Sequence, residues 1–239
     1  MSPGFYTAAT ALDSRTRAQE TIANNLANIN TTGFKRQYPL FTEFGAELAA
    51  SRKNMAPGIS NVAPVATNWD LATPGPTLKT GGELDLALRG PGFFVVSTPS
   101  GERLTRAGEF SRDGQGRLLA RGELPVLGQN GPITLPSGPV AIGPDGTVKV
   151  NNVVVDKLRI EEPENTNELV AEGGSLFMTS GKTKTADKAQ VMSGTLEGSN
   201  VNLTQELVAM IANSRVHDES GKALNIVDEI TGRMIADLS

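Results

Sequence analysis

The sequence contains no cysteine and only one histidine, His217. The lack of cysteine excludes disulfides, thiolate metal sites and thiol nucleophiles, and a single histidine cannot supply the pair that a typical zinc site uses. His217 has Ser214 and Ser220 beside it on a predicted helix, where a catalytic triad would have no oxyanion pocket. We therefore predict no catalytic residue, no metal and no cofactor, and a protein that is not an enzyme.

Aromatic residues, basic charge and long apolar runs are also scarce. Phe, Trp and Tyr make up 5% of the residues, and the net charge is −4. Neither a basic surface nor stacking platforms for nucleic acid are expected, and no small-molecule substrate is predicted. No run of about 20 apolar residues could cross a membrane as a helix. Residues 1–6 lack the charged and apolar regions of a cleaved leader, so we expect any export to proceed without one.

The N-terminal residues predict a helix with a weak heptad stripe. Ser2 is a credible N-cap with Pro3 at the first helical position, and Gly33 after two threonines is suited to end the helix. The residues of this stripe recur at alternating spacings of four and three, as in a heptad, and the middle of the stripe is polar. The stripe consists of Phe5, Ala9, Leu12, Thr16, Gln19, Ala23 and Leu26.

The C-terminal residues predict a second, longer helix. Asn202 and Gln205 have the spacing of a capping box, and a helix from there to residue 237 would be roughly 50 Å long at about 1.5 Å per residue. Its stripe also fades in the middle, at Ser214, His217 and Gly221, and returns at Leu224. Two such ends indicate either pairing with each other or a bundle shared with neighbouring copies.

The middle of the chain predicts β structure. Alternating residues at 84–88, the apolar run at 93–96 and turn signals every 8–12 residues are typical of a sandwich or barrel. The predicted fold class is α+β, with a discontinuous N- and C-terminal α-helical, coiled-coil-like domain (1–33 plus 201–239) and an inserted all-β domain at 80–180. Residues 34–79 and 181–200 are predicted to be extended connectors.

An asparagine cluster near the end of the first helix allows two interpretations. Asn24, Asn25, Asn28 and Asn30 lie within seven positions, and Asn is a mediocre helix former. The amides could form hydrogen bonds to neighbouring subunits and fix their register, as a buried polar residue does in a coiled coil. Alternatively, they could mark a solvent-exposed helix end that frays.

Three segments together resemble the flagellar rod and hook protein family. Residues 23–35 (ANNLANINTTGFK) are similar to its N-terminal signature, and residues 84–96 (LDLALRGPGFFVV) are similar to its central one. Residues 196–202 (LEGSNVN), followed by the amphipathic stretch 206–215, complete the set in the family's order. The 239 residues are few for a hook subunit, and residues 70–78 look more like proximal-rod than distal-rod members.

The resemblance implies a structural subunit of the bacterial flagellar basal-body rod, a helical shaft that spans the periplasm, transmits torque and serves motility. Its partners would be copies of itself, other rod proteins and, during secretion, the flagellar type III export apparatus. A distal-rod subunit is the alternative within the family. The alternative of another class is a periplasmic protein that binds or cleaves cell-wall glycan.

The terminal helices are where the resemblance implies assembly contacts. The predicted subunit-interface residues are Phe5, Leu12, Ile22, Asn24, Asn25, Leu26, Asn28, Leu203, Leu207, Met210, Ile211, Leu224 and Val227.

Overall fold

A computed structural model of the chain describes residues 3–43, 62–173 and 175–236. The chain forms two compact units. The terminal unit contains the described residues of Met1–Ala27, Gln37–Asp70 and Asn202–Ser239, and the β unit contains Asn28–Arg36 and Leu71–Val201. Two separate segments of the chain, 28–36 and 71–201, therefore form the β unit, and the two strands of the terminal unit lie between them in sequence.

Over its described residues, the terminal unit holds two helices and two strands. These are α1 (Pro3–Ala27), β1 (Gln37–Glu43), β2 (Val62–Trp69) and α2 (Leu203–Ala236). The backbone N–H of Gln205 donates to the Asn202 side-chain oxygen at 3.1 Å, so Asn202 caps α2 as the sequence predicts. The α1 helix begins at Pro3, which is the predicted first helical position; its predicted cap, Ser2, lies outside the described residues.

The predicted fold class is wrong. Strands hold more of the described residues than the two helices do, and the unit that contains the helices also contains β1 and β2, so it is not a coiled-coil domain with a β insertion. The two strands pair antiparallel, with a register shift between Leu40 and Phe41. Pro39 and Pro64 lie within them, and proline together with the residue before it favours extended backbone. Those prolines obscured a strand signal in a segment that has little periodicity.

The α1 helix ends before the predicted stop. It ends at Ala27, and turns follow at residues 28–30. The Thr31 hydroxyl donates to the Asn28 side-chain oxygen at 3.2 Å. Asparagine side chains compete with the helical backbone for hydrogen bonds, which accounts for an end at this cluster rather than at Gly33.

The β unit, over its described residues, consists of short antiparallel strands and one 3₁₀ turn at Thr166–Glu168. The strands are β3 (Thr77–Lys79), β4 (Leu86–Arg89), β5 (Phe93–Thr98), β6 (Gly101–Thr105), β7 (Ser111–Arg112), β8 (Leu118–Ala120), β9 (Leu124–Pro125), β10 (Leu127–Gly128), β11 (Gly131–Pro132), β12 (Val140–Ile142), β13 (Thr147–Val150), β14 (Val153–Lys157), β15 (Ile160–Pro163), β16 (Leu169–Gly173), β17 (Leu176–Thr179), β18 (Thr183–Thr185), β19 (Gln190–Ser193) and β20 (Thr195–Glu197). A six-stranded sheet has the order β16–β17–β6–β5–β15–β18, and β12–β13–β14 and β7–β8–β9 form three-stranded sheets. The pairs β10–β11, β19–β4 and β20–β3 complete the unit.

One apolar core fills the β unit. Phe94, Val96 and Val126 are fully buried in it, and the ring of Phe110 meets Phe94 edge-on at 5.1 Å. The continuous apolar run of β5 suits a strand that is covered on both faces. Neither α1 nor α2, over their described residues, is long and apolar enough to cross a membrane.

Candidate functional site

A buried polar cluster joins the two helices of the terminal unit. The Asn25 amide donates to Glu206 Oε2 at 3.2 Å and to the backbone oxygen of Gln37 at 2.9 Å. Its own oxygen accepts from the backbone N–H of Gln37 at 2.9 Å. Asn25 and Glu206 are each 1% exposed. The Asn25 amide therefore makes two hydrogen bonds to the backbone at the start of β1, as a neighbouring strand would. It also donates a hydrogen bond to Glu206 on α2.

A second polar contact lies farther along the same helix pair. The Asn213 amide donates to the backbone oxygen of Arg15 at 2.9 Å and to the Gln19 side chain at 2.8 Å. Together with the Asn25–Glu206 bond, this contact shows that α1 and α2 run antiparallel, because later residues of α1 meet earlier residues of α2.

The buried face of α1 is made mainly of small side chains. Among the α1 side chains that the structure describes, from residue 12 onward, Ser14, Ala18 and Thr21 are buried, and Ile22 is the one large apolar side chain that is buried with them. Small residues let another backbone approach closely but bury little apolar area per turn.

The outer face of α2 carries the large apolar side chains. Leu203, Leu207 and Ile211 follow one another at intervals of four, so they share one face. They are 49%, 45% and 56% exposed, whereas Glu206 and Asn213, on another face, are buried. Val208 and Ile226 are exposed to a similar degree. We call Leu203, Leu207, Val208 and Ile211 the outer apolar face of α2.

The predicted interface residues divide into four groups. Leu203, Leu207, Ile211 and Asn24 are exposed, Ile22 and Asn25 are buried, and Leu12, Leu26, Asn28 and Met210 are intermediate. The side chains of Phe5, Leu224 and Val227 lie outside the described part of the chain.

Sequence reasoning missed Glu206 and Asn213. Both are polar residues within a helical pattern, and such residues are normally assigned to the solvent face. A possible signal was their spacing of seven, which places them on one face away from Leu203 and Leu207.

In the β unit, the residues of two signature segments meet. Gly33 has a φ of +67°, and a Cβ there would collide with the backbone of Ala107. Lys35 Nζ lies 2.7 Å from Glu197 Oε1, and the backbone N–H of Arg36 donates to the Asn200 side chain at 2.6 Å. The first and last segments of the β unit are thus tied together by polar contacts, of which the Lys35–Glu197 ion pair is buried.

Arg106 completes that buried group. Its Nη1 atom lies 3.4 Å from Glu197 Oε2. Burial lowers the pKa of Arg106 from its usual value, an effect that the Glu197 carboxylate only partly offsets. Over the residues that the structure describes, no three His, Cys, Asp or Glu side chains come together to hold a metal ion.

Comparison with known families matches three parts of the chain. Residues 5–35 match the flagella basal body rod protein family, residues 87–150 match the D1 domain of flagellar hook protein FlgE/F/G, and residues 192–237 match the C-terminal domain of flagellar basal body rod FlgEFG proteins. The first and last matches fall mainly on α1 and α2, and the central one falls on the β unit.

Whole-length relatives agree with these matches. The flagellar basal-body rod protein FlgF of Caulobacter vibrioides is 33% identical over 90% of this chain and 89% of its own length. The chain belongs to the flagellar basal-body rod protein family. The FlgF protein of Escherichia coli is 33% identical over 98% of this chain and 97% of its own length. A FlgG protein, from Buchnera aphidicola, follows at 28% over 98% and 99%.

The predicted resemblance is therefore confirmed, with FlgF relatives ahead of FlgG relatives. These rod-family matches include both helices, so the outer apolar face of α2 lies within a matched segment.

Proposed function

We propose that this chain is a structural subunit of the flagellar basal-body rod, of the FlgF type, and that it assembles through α1 and α2. Its role is mechanical: it forms part of a shaft that transmits torque for motility. No chemical step is needed for that role, and we assign none. The observation that carries the assembly proposal is the outer apolar face of α2.

The distribution of side chains in the terminal unit supports this proposal. In an isolated amphipathic helix pair, the large apolar residues face the partner helix and the polar residues face water. Here Glu206 and Asn213 face inward, while Leu207 and Ile211 remain about half exposed. An ordered row of exposed large apolar side chains on one helix marks an interaction surface.

The energy available from this face is modest for one subunit and large for a polymer. Covering the half-exposed part of a Leu or Ile side chain is worth roughly 1 kcal/mol. Four such residues on each copy, covered by a different surface on the next copy, give a heterologous contact. Such contacts continue as an open helix when the rotation from one copy to the next does not close into a ring, and an open helix is the geometry that a shaft requires.

The proposed partners are copies of this chain and other rod proteins. We further propose that the chain passes through the flagellar type III export apparatus without cleavage of a leader and takes its place in the periplasm-spanning rod. The proximal part of the rod is the proposed position, because the FlgF relatives have the higher identities. All thirteen predicted interface residues remain candidates, with the exposed ones foremost.

A double substitution on the outer face of α2 tests the assembly proposal. Leu207→Asp with Ile211→Asp should lower the amount of chain in purified basal bodies more than tenfold and abolish swimming in a strain that lacks its own rod subunit. Both positions are exposed, so the melting temperature of the free chain should scarcely change. The matched control is Gln205→Asp, which adds a carboxylate to another face of the same helix.

The comparison of the double variant with Gln205→Asp decides the outcome. Normal incorporation of the double variant would contradict the proposal, because the outer apolar face would then be dispensable. Equal loss with Gln205→Asp would also contradict it, since the effect would come from charge on α2 and not from its apolar face.

A further inference from the structure

Two hairpin turns of the β unit present an exposed asparagine, and they differ in the residue that follows it. The first turn joins β10 to β11, and there Asn130 precedes Gly131. The second turn joins β13 to β14, and there Asn152 precedes Val153. In the whole sequence, Asn130 is the one asparagine that glycine follows.

The following residue matters because its backbone nitrogen can attack the asparagine side chain. Attack on Cγ closes a five-membered ring, and a side chain on the following residue crowds the approach. Gly131 has no side chain, and apart from its chain neighbours no atom of the described residues lies within 4 Å of where its Cβ would be. Val153 carries a branched Cβ, which is bulky and stiff. Asn130 therefore has the less hindered neighbour.

The side chain of Asn130 is held by one hydrogen bond. Its Nδ2 atom donates to Asp156 Oδ1 at 3.0 Å, and over the described residues no donor reaches its own oxygen. Asn130 is exposed, so water and hydroxide have access to it. The Cγ atom of Asn130 is thus open to attack.

Two aspartates also precede glycine, but their carboxylates are tied within their own loops. Asp113 Oδ1 accepts from the backbone N–H groups of Gln115 and Arg117, and its Oδ2 accepts from Arg117 Nε at 2.7 Å. Asp145 accepts from the hydroxyl and the backbone N–H of Thr147. The side-chain bonds from Arg117 and Thr147 are the main reason that the pKa of each aspartate lies below its ordinary 3.8. Both stay ionised at neutral pH, and an ionised carboxylate is a poor electrophile.

We propose that Asn130 is a site of spontaneous deamidation, at which this chain modifies its own backbone. The Gly131 nitrogen gives its proton to hydroxide and bonds to Asn130 Cγ. The Cγ–Nδ2 bond breaks, and the departing nitrogen takes a proton from water and leaves as ammonia.

Water then opens the cyclic imide that remains. Hydrolysis of the new bond between Cγ and the Gly131 nitrogen gives aspartate. Hydrolysis of the original peptide bond between Asn130 and Gly131 gives isoaspartate, in which the main chain runs through the side chain. One water is consumed and one ammonia is released, and no oxidant or reductant takes part.

Both products change the contact between this turn and β14. The amide that donates to Asp156 becomes a carboxylate, so two like charges replace a hydrogen bond. Isoaspartate also lengthens the main chain of a two-residue turn, whose length fixes the register of its strands. The Gln129 N–H donates to the Lys157 oxygen at 2.9 Å beside this turn, and we expect that bond to open more often.

Incubation of the full-length chain in oxygen-18 water at mildly alkaline pH tests the proposal. Digestion at acidic pH and mass spectrometry locate the incorporated oxygen-18, and enzymatic methylation of isoaspartate reports the rearranged product. Asn152 is the matched control within the same chain. We expect residue 130 to convert roughly tenfold faster than residue 152, which corresponds to a barrier about 1.4 kcal/mol lower.

Two variants assign the chemistry and its consequence. Asn130→Gln keeps an exposed amide but requires a six-membered ring, so conversion at position 130 should fall to the level of Asn152. Asn130→Asp supplies one product directly, and its Gln129 amide should exchange hydrogen about two- to fivefold faster than in the unsubstituted chain. Unchanged exchange would overturn the proposed loosening of the turn.

Two results on the unsubstituted chain would overturn the proposal. One is conversion of residue 130 that is no faster than conversion of residue 152. The other is isoaspartate that forms chiefly at Asp113 or Asp145, because the tied carboxylates would then be the more reactive groups. Neither result depends on a variant that must fold.

Discussion

The two units of this chain use apolar and polar residues in opposite ways. The β unit places large apolar side chains, such as Phe94 and Val126, in a core and buries Lys35, Arg106 and Glu197 as a charged group. The terminal unit buries Asn25 and Glu206 and leaves Leu207 and Ile211 about half exposed. The β unit thus has an apolar core of its own, although Val153 and Val154 remain exposed on it. In the terminal unit, exposed large apolar side chains stand away from a buried polar face, and this is the surface that we propose another molecule covers.

The largest expected effect is in the β unit. Glu197→Ala would leave Lys35 and Arg106 as two buried cations without their shared carboxylate. Removing one partner of a buried ion pair costs about 3–5 kcal/mol, and the free energy of unfolding of this unit should fall by that amount. Amide hydrogen exchange at Phe94 and Val126 measures it, because these residues lie in the core.

The exposed Glu109→Ala serves as the control for that substitution and should change the same exchange rates little. A loss below about 1 kcal/mol in Glu197→Ala would contradict the view that the buried charges hold this unit together.

A smaller loss is expected in the terminal unit. Asn25→Ala removes the hydrogen bonds that join α1 to Glu206 and to Gln37, and it should cost about 1–3 kcal/mol. Thermal unfolding followed by the fluorescence of the single tryptophan, Trp69, reports on this unit because Trp69 ends β2. Glu20→Ala, an exposed site on α1, is the matched control. Equal melting temperatures for the two variants would show that the buried amide has no structural role.

The smallest effect concerns an ion pair of the β unit between the buried Arg103 and the exposed Glu172. Arg103 donates to Glu172 through Nε at 2.5 Å and through Nη2 at 2.9 Å. These hydrogen bonds hold the pKa of Glu172 below its ordinary 4.5. Because the folded-state pKa is depressed, the stabilisation is complete above the unfolded-state pKa and is lost as the pH falls through the folded-state pKa.

Arg103→Gln should therefore raise the pKa of Glu172 toward 4.5 and remove that part of the acid sensitivity of the fold. A carbon-13 titration of the Glu172 carboxyl measures the change. An unchanged pKa would assign the depression to some cause other than Arg103.

Much of the fold could be predicted where the information is local. Pro3 and Asn202 mark the starts of α1 and α2, and Asn151 and Asn152 form the turn between β13 and β14, both with positive φ. The family could be predicted as well, because its signature segments are contiguous in sequence.

The rest depends on contacts between distant residues. Asn25 and Glu206 are 181 positions apart, and nothing near either one indicates the other. The strand β1 contains Pro39, which hides its pattern. The stripes alone left open whether the large apolar residues of α2 face the partner helix or neighbouring copies. In the structure, the described buried face of α1 offers mainly small side chains, and α2 turns Glu206 and Asn213 toward it.

The central claim is that the outer apolar face of α2 becomes covered in the rod. Because the sequence contains no cysteine, Leu207→Cys introduces a unique thiol. The direct measurement is its alkylation rate in the free chain and in purified basal bodies, with Val154→Cys on the exposed part of β14 as the reference. We expect rapid labelling of the free chain at both positions and at least a tenfold slower reaction of Cys at 207 in basal bodies. Equal rates at position 207 in the two preparations would contradict the account.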